Sequence, residues 1–349
     1  AMKHVRFAAM DAGFLQTTVR AWPALKSMEG RDLLFDSLLD AGHALPRTGY
    51  GPRLVYVLGG MNEADEDLCT VDVYDPRTNA WKKQQSYMRT TRREHGATVL
   101  DGKIYVMGGR DDNGDHLSTA DVYDPQSDQW QQLANMTIGR VEMGIAAAGG
   151  KIYAIGGEVD YDSATATVEA FDPQLDAWAY VASMSVDRCE HAVAVVDGKI
   201  YAIGGRGPDL HSALVSVDMY DPQADSWQQV ASMPHGRCLH AAAAMGGKIY
   251  VTGGRVNDRH GVNFEIGRLR SVVVFDPQAN TWTQVASMSR PLRDHSSAAI
   301  GGKLYVFGGV NPETSVPEAS VEAYDPISNT WEQVSDLTFA RQEFVAVAL

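Results

Sequence analysis

The sequence is poor in cysteine: Cys69, Cys189 and Cys238 are the whole complement of 349 residues. So small and odd a number cannot build a disulfide scaffold, and a reducing compartment is the expected setting. No apolar run approaches the roughly 20 residues that a membrane helix needs, and the N-terminal AMKHVRF lacks the apolar core of a signal peptide. A cytoplasmic location, alone or with a nuclear one, is therefore expected. Positive charge is short as well: 30 Lys and Arg stand against 44 Asp and Glu, a net charge of −14. That balance argues against a general binder of nucleic acid or anionic membrane. Phosphate-cradling loops, dinucleotide fingerprints and Ser-His-Asp patterns are missing too, so neither an enzyme nor a cofactor is expected.

Glycine is abundant, and its placement is periodic. Gly-Gly doublets stand at 59–60, 108–109, 156–157, 204–205, 253–254 and 308–309, spaced 49, 48, 48, 49 and 55 residues apart. Each is followed by an aromatic-Asp-Pro triplet (Tyr74, Tyr123, Phe171, Tyr220, Phe275 and Tyr324 lead them) and then by a tryptophan: Trp81, Trp130, Trp178, Trp227, Trp282 and Trp331. Between these landmarks each unit reads as four strands, a to d. In the second unit they are HGATVL, GKIYVMGG, STADVYDP and QWQQLA. Asp101-Gly102 predicts a two-residue hairpin between a and b, and the proline after each Asp ends strand c. Strand a carries small residues, as a tapering channel wall requires. The first unit has no strand a, whereas Phe344–Leu349 is a surplus strand at the end of the chain, so the C-terminus is expected to complete the first blade.

These motifs resemble the Kelch repeat, a family with a period of about 50 residues. The resemblance implies an all-β, six-bladed propeller with four antiparallel strands per blade over residues 50–349, closed by a C-terminal strand. Residues 1–45 fall outside the repeat and read as a short helical segment. Their strings VRFAAMDAGFL and PALKSMEGRDLL are similar to the end of the BACK domain in BTB-BACK-Kelch adaptors; the plainer reading is a helical extension. The resemblance implies a protein-interaction module that recruits a substrate protein or peptide, with acidic residues, to a cullin-RING ubiquitin ligase. The BTB domain that would contact the cullin is absent from this chain. A cytoskeletal, actin-binding or scaffolding Kelch protein is the alternative. A copper enzyme of the galactose-oxidase type would need a Tyr-Cys-His constellation that the spacing does not offer.

Binding is expected on the face that carries the b–c loops and d–a connections, since variable loops on a rigid scaffold hold recognition residues. The d–a connections repeat an arginine (Arg92, Arg140, Arg188, Arg237 and Arg341), with Arg293 one position late in the sixth unit. Arg110, Arg206 and Arg255 follow three of the doublets, and Arg259 lies in the long fifth b–c loop. In adaptors of the resembling family, arginines at such positions hold acidic peptides, which implies that role for these ten residues. The d–a set admits a second reading, as braces of the blade junctions. The first three b–c loops are acidic, so the face is expected to be negative over blades 1–3 and positive over blades 4 and 5. His95, His191, His240 and His295 also recur in register. A metal ring is the sharper reading and packed strand residues the expected one; no metal site is assigned. Cys189 and Cys238 each follow a repeated arginine. They admit a reactive thiolate or, as expected, a small buried apolar role.

Overall fold

The structure is a computed structural model that describes residues 54–160, 163–256 and 269–349. The helical segment expected over residues 1–45, the start of the propeller at residue 50, and Arg259 lie outside the described residues.

Six four-stranded antiparallel sheets follow one another, each in the order a-b-c-d. In blade 2 these strands are Gly96–Leu100, Lys103–Met107, Ala120–Asp124 and Gln129–Gln132. The doublets end every strand b, and the Asp of each aromatic-Asp-Pro triplet ends every strand c. Asp101 and Gly102 both have positive φ, as a two-residue turn matched to strand twist demands. The a strands of neighbouring blades stand beside one another around the axis. Small residues are obligatory there: a Cβ on Gly96 would lie 2.0 Å from Ile145 Cγ1 of the next blade.

Blade 1 is completed from the far end of the chain. Val345–Ala348 pairs antiparallel with Val55–Leu58, Val55 opposite Ala348 and Leu58 opposite Val345. The expected closure is thus present, and it removes the two free sheet edges an open chain would leave.

Blades are glued by apolar faces, since a four-stranded sheet cannot bury both faces alone. Between blades 3 and 4, Tyr153, Ile155, Val168 and Met184 pack with Ile200, Ala202 and Tyr220. Each repeated tryptophan sits at such a seam and donates its indole N–H to the preceding blade: Trp178 to Ala134 O at 2.8 Å, Trp227 to Ala182 O at 2.7 Å. Trp81 reaches Ser335 O at 3.1 Å across the closing seam. Five of these indoles thus fill the seam and satisfy a carbonyl in the same contact, and Trp130 donates instead to Ser86 Oγ at 3.0 Å.

Candidate functional site

The d–a connections deliver three consecutive residues to the channel mouth, and each has a separate task. The first is the repeated arginine. Arg92, Arg140, Arg188, Arg237 and Arg341 are all 0–1% exposed. Arg140 shows the pattern: its guanidinium donates to Gly156 O at 2.9 Å, Thr167 O at 3.1 Å, Thr167 Oγ1 at 2.9 Å and Glu169 Oε1 at 2.9 Å. Its own carbonyl accepts from Gly109 N of the preceding blade at 2.8 Å. The arginine therefore ties strands b and c of its own blade to the doublet of the previous one. Arg92 pairs with Asp121, Arg188 with Asp218 and Arg341 with Asp72 in the same way. The expectation that these five meet a partner is corrected: their terminal Nη1 and Nη2 groups bond inside the ring, and the remaining Nε groups are buried with them. They are braces.

Two blades depart from the pattern. Arg237 has Val273 at the acid's position on strand c, and among the described residues it bonds to Gly253 O, Ser271 O and Ser271 Oγ; burial brings its pKa down to about 10. In blade 6 the brace position is Leu292, whose carbonyl accepts from Gly254 N at 2.8 Å. Arg293 is therefore one step further on, in the channel-lining position held by Arg93, Val141, Cys189, Cys238 and Gln342 in the other units.

The next residue forms a closed belt. Glu94, Glu142, Glu190, Leu239, Asp294 and Glu343 all take positive φ, between 52° and 57°. Each donates its N–H to the carbonyl of the one before it: Glu142 to Glu94, Glu190 to Glu142, Leu239 to Glu190, Asp294 to Leu239, Glu343 to Asp294 and Glu94 to Glu343, at 2.9–3.1 Å. Six hydrogen bonds thus circle the channel. With the ring of His95, Met143, His191, His240, His295 and Phe344 they line a cavity of about 120 Å³. The histidines are buried, in line with the packed role expected for them.

Arginines meet the belt carboxylates. Arg110 Nε lies 3.1 Å from Glu94, Arg206 Nε 2.8 Å from Glu190, Arg93 Nε 3.7 Å from Glu343, and Arg293 pairs with Asp294. Arg110, Arg206 and Arg293 thus stand at the mouth as expected, partly exposed but charge-paired. Arg255, whose backbone bridges to Cys238, is exposed, and Arg270 is exposed at the end of the fifth b–c loop. The belt residue of that sector is Leu239, the one position without a carboxylate. Across the mouth Glu63, Asp65, Glu66, Asp112, Asp115 and Asp160 are exposed, so the described rim has the expected polarity. The reactive-thiolate reading of the cysteines is corrected: burial, and after it Glu190, pushes Cys238 up to about 12, and burial with Glu142 raises Cys189.

Burial of the belt makes stability depend on pH. Burial, reinforced by Glu94 and Asp294, lifts Glu343 to about 8, and burial against the pull of Arg293 lifts Asp294 to about 6. Such groups hold protons in the fold that the unfolded chain has released, so stability falls as pH rises through their range. Burial holds His95 and His240 at about 3 and His295 at about 4; unfolding lets them take up protons below roughly 6.5, so stability falls there as pH drops. Above roughly 6.5 the carboxyls act, joined near the top of the range by the two buried thiols, whose raised pKa works in the same direction. The urea midpoint is therefore expected to decline from pH 6.5 to pH 8.5, and Glu343→Gln to flatten the slope. A midpoint that rises over this interval would contradict the assignment.

A family model described as the calicin β-propeller domain matches residues 55–235. A second, for the KLHDC2/KLHL20/DRC7 Kelch-repeats domain, matches residues 190–343. No individually curated protein matches the chain.

Proposed function

This chain belongs to the Kelch-repeat β-propeller family, a family of protein-interaction modules, and we propose that it captures an acidic segment of a substrate protein for a cullin-RING ubiquitin ligase. Capture is at the blade 4–5 side of the channel mouth, in the cytoplasm, and without catalysis. The observation that carries this reading is the single gap in the acidic belt: where other sectors hold a carboxylate, Leu239 follows Cys238, whose backbone bridges to the exposed Arg255, and the belt acids on either side are already met by Arg206 and Arg293. An exposed guanidinium beside a belt position without a carboxylate suits carboxylate ligands through charge-assisted, bidentate bonds. The acidic half of the rim repels the same ligand and so fixes where it sits. The adaptor role is supported by the likeness of residues 1–45 to the end of a BACK domain.

The test is a short acidic peptide titrated into the protein by calorimetry, at two salt concentrations. Arg255→Glu is expected to weaken binding about tenfold or more, near 1.4 kcal/mol, with the urea midpoint unchanged. The wild-type affinity should fall with salt. If the ring prefers a basic peptide, or if Arg255→Glu binds as well as wild type, the site reading is lost. For the adaptor role, full-length protein reconstituted with a cullin-RING ligase should ubiquitinate the captured partner, and the same variant should fail.

A further inference from the structure

Around the channel mouth the same three positions recur in every sector: a belt residue, the residue after the doublet of that blade, and the channel-lining residue of the next blade. Their occupants show a rule. Glu94 has Arg110 and Glu190 has Arg206 from the post-doublet position, Glu343 has Arg93 from the next channel-lining position, and Asp294, whose sector holds Val310 and Gln342, has the preceding residue Arg293. Glu142 breaks it. Among the described residues it forms no ion pair with an arginine or lysine, because the post-doublet position of its sector is Glu158 and the channel-lining position is Cys189. Two carboxylates and a thiol thus meet at positions where the sectors of Glu94 and Glu190 place an arginine.

We propose that Glu142, Glu158 and Cys189 bind one divalent cation of the borderline class typified by Zn²⁺. One oxygen of each carboxylate and the Cys189 sulfur lie within 4.8 Å of one another. A tetrahedral zinc with these donors needs them about 3.3–3.7 Å apart, an inward shift that side-chain rotation supplies. The second observation is the thiol. Cys189 is 1% exposed, its sulfur faces the two carboxylates, and among the described residues it makes no hydrogen bond. Its counterpart one sector on behaves differently: the Cys238 sulfur lies 3.6 Å from Arg255 O, and Arg206 occupies the place of Glu158. The same position is thus internally satisfied where an arginine is present and unsatisfied where it is not.

The donor set selects the metal class. Two oxygens and one sulfur suit zinc and its neighbours better than magnesium or calcium, which take oxygen alone. His116 stands beside the site, its Nε2 4.0 Å from Glu158 and its Nδ1 3.3 Å from Val159 O. It is placed to orient the Glu158 carboxylate, as partners of ligating groups commonly do. Arg110 lies 3.8 Å from Glu158 but is shared with Glu94, so one cation serves two carboxylates there. Two ligands come from blade 3 and the third from the connection into blade 4, so a bound ion would cross-link these two blades at the channel mouth.

Cobalt(II) reports on the site directly, since a cobalt–thiolate bond adds a near-ultraviolet charge-transfer band. Titrated into the freshly reduced protein, cobalt is expected to give that band with one equivalent, and zinc to abolish it. Cys189→Ser should remove the band, Glu158→Gln should weaken affinity at least about tenfold, and Cys238→Ser should leave both unchanged. Metal-free urea midpoints of the variants report whether each has kept the fold. No thiolate band in the wild type, a band surviving Cys189→Ser, or a band lost in a folded Cys238→Ser each overturns the proposal. Cobalt held by surface carboxylates alone shows no such band and counts against it.

Discussion

Replacing Arg188 by leucine is expected to cost the ring about 3–5 kcal/mol, the scale of an orphaned buried charge, while the same change at Arg237 costs far less. Both arginines are fully buried and both bond to the carbonyl of the doublet in their own blade. They differ in one partner. Arg188 pairs with Asp218, whose side chain is 4% exposed; without the guanidinium that carboxylate has no nearby cation and must take a proton or unfold the sheet. Arg237 has Val273 at the acid's position, so its removal forfeits hydrogen bonds and leaves no charge behind. Those carbonyls lose about 1–3 kcal/mol at most. Leu292 at the equivalent position of blade 6 shows that a leucine fits there. Glu322, the acid in that blade, is served instead by Ser289 and by Arg290 at 3.8 Å. The measurement is urea unfolding of Arg188→Leu, Arg237→Leu and the double variant Arg188→Leu/Asp218→Val. Restoring much of the loss in the double variant confirms a brace. If Arg188→Leu unfolds no earlier than Arg237→Leu, the acid-paired clamp is refuted.

The brace was written in the sequence in a form easy to pass over. Asp72, Asp121, Glu169, Asp218 and Glu322 each sit two residues before the aromatic of the triplet, in the middle of a strand. A charge there must be buried, and a buried carboxylate needs a buried cation, for which the repeated arginine was the available candidate. Doublets, triplets and tryptophans, by contrast, announce the blades openly, since hairpin turns and seam aromatics follow from local chemistry. The belt was not legible. Five acids and a leucine share no residue type, and a positive φ at Glu142 or Glu343 is disfavoured locally. It is imposed by hydrogen bonds between residues some fifty positions apart. The polarity of the rim was legible because exposed loop charges need no packing to be placed. Which rim arginines are already paired was not, since it depends on where the belt puts its carboxylates.

The second large effect concerns closure. Removing residues 344–349 is expected to abolish cooperative folding. The deletion takes away the strand opposite Val55–Leu58 and the reciprocal hydrogen bonds between Leu54 and Leu349 at 2.9 Å. It also strips Phe344, Ala346 and Val347 from a core shared with Ala298, Tyr305 and Phe307 or with Tyr56 and Ile104. A buried phenylalanine alone is worth roughly 3–5 kcal/mol when truncated, and the strand adds its ladder, so the sum rivals the entire stability of a typical domain. The exposed edge at Val55–Leu58 would then recruit other chains. A second variant separates the two causes. Moving FVAVAL and a two-residue turn ahead of Leu54, as blades 2–6 are built, restores the strand but leaves blades 6 and 1 without a covalent latch. This permuted chain should fold cooperatively, unlike the deletion, with a midpoint below that of the parent. Equal midpoints for parent and permuted chain would mean that the strand matters and the latch does not; a deletion that unfolds as cooperatively as the parent would remove the role of ring closure altogether.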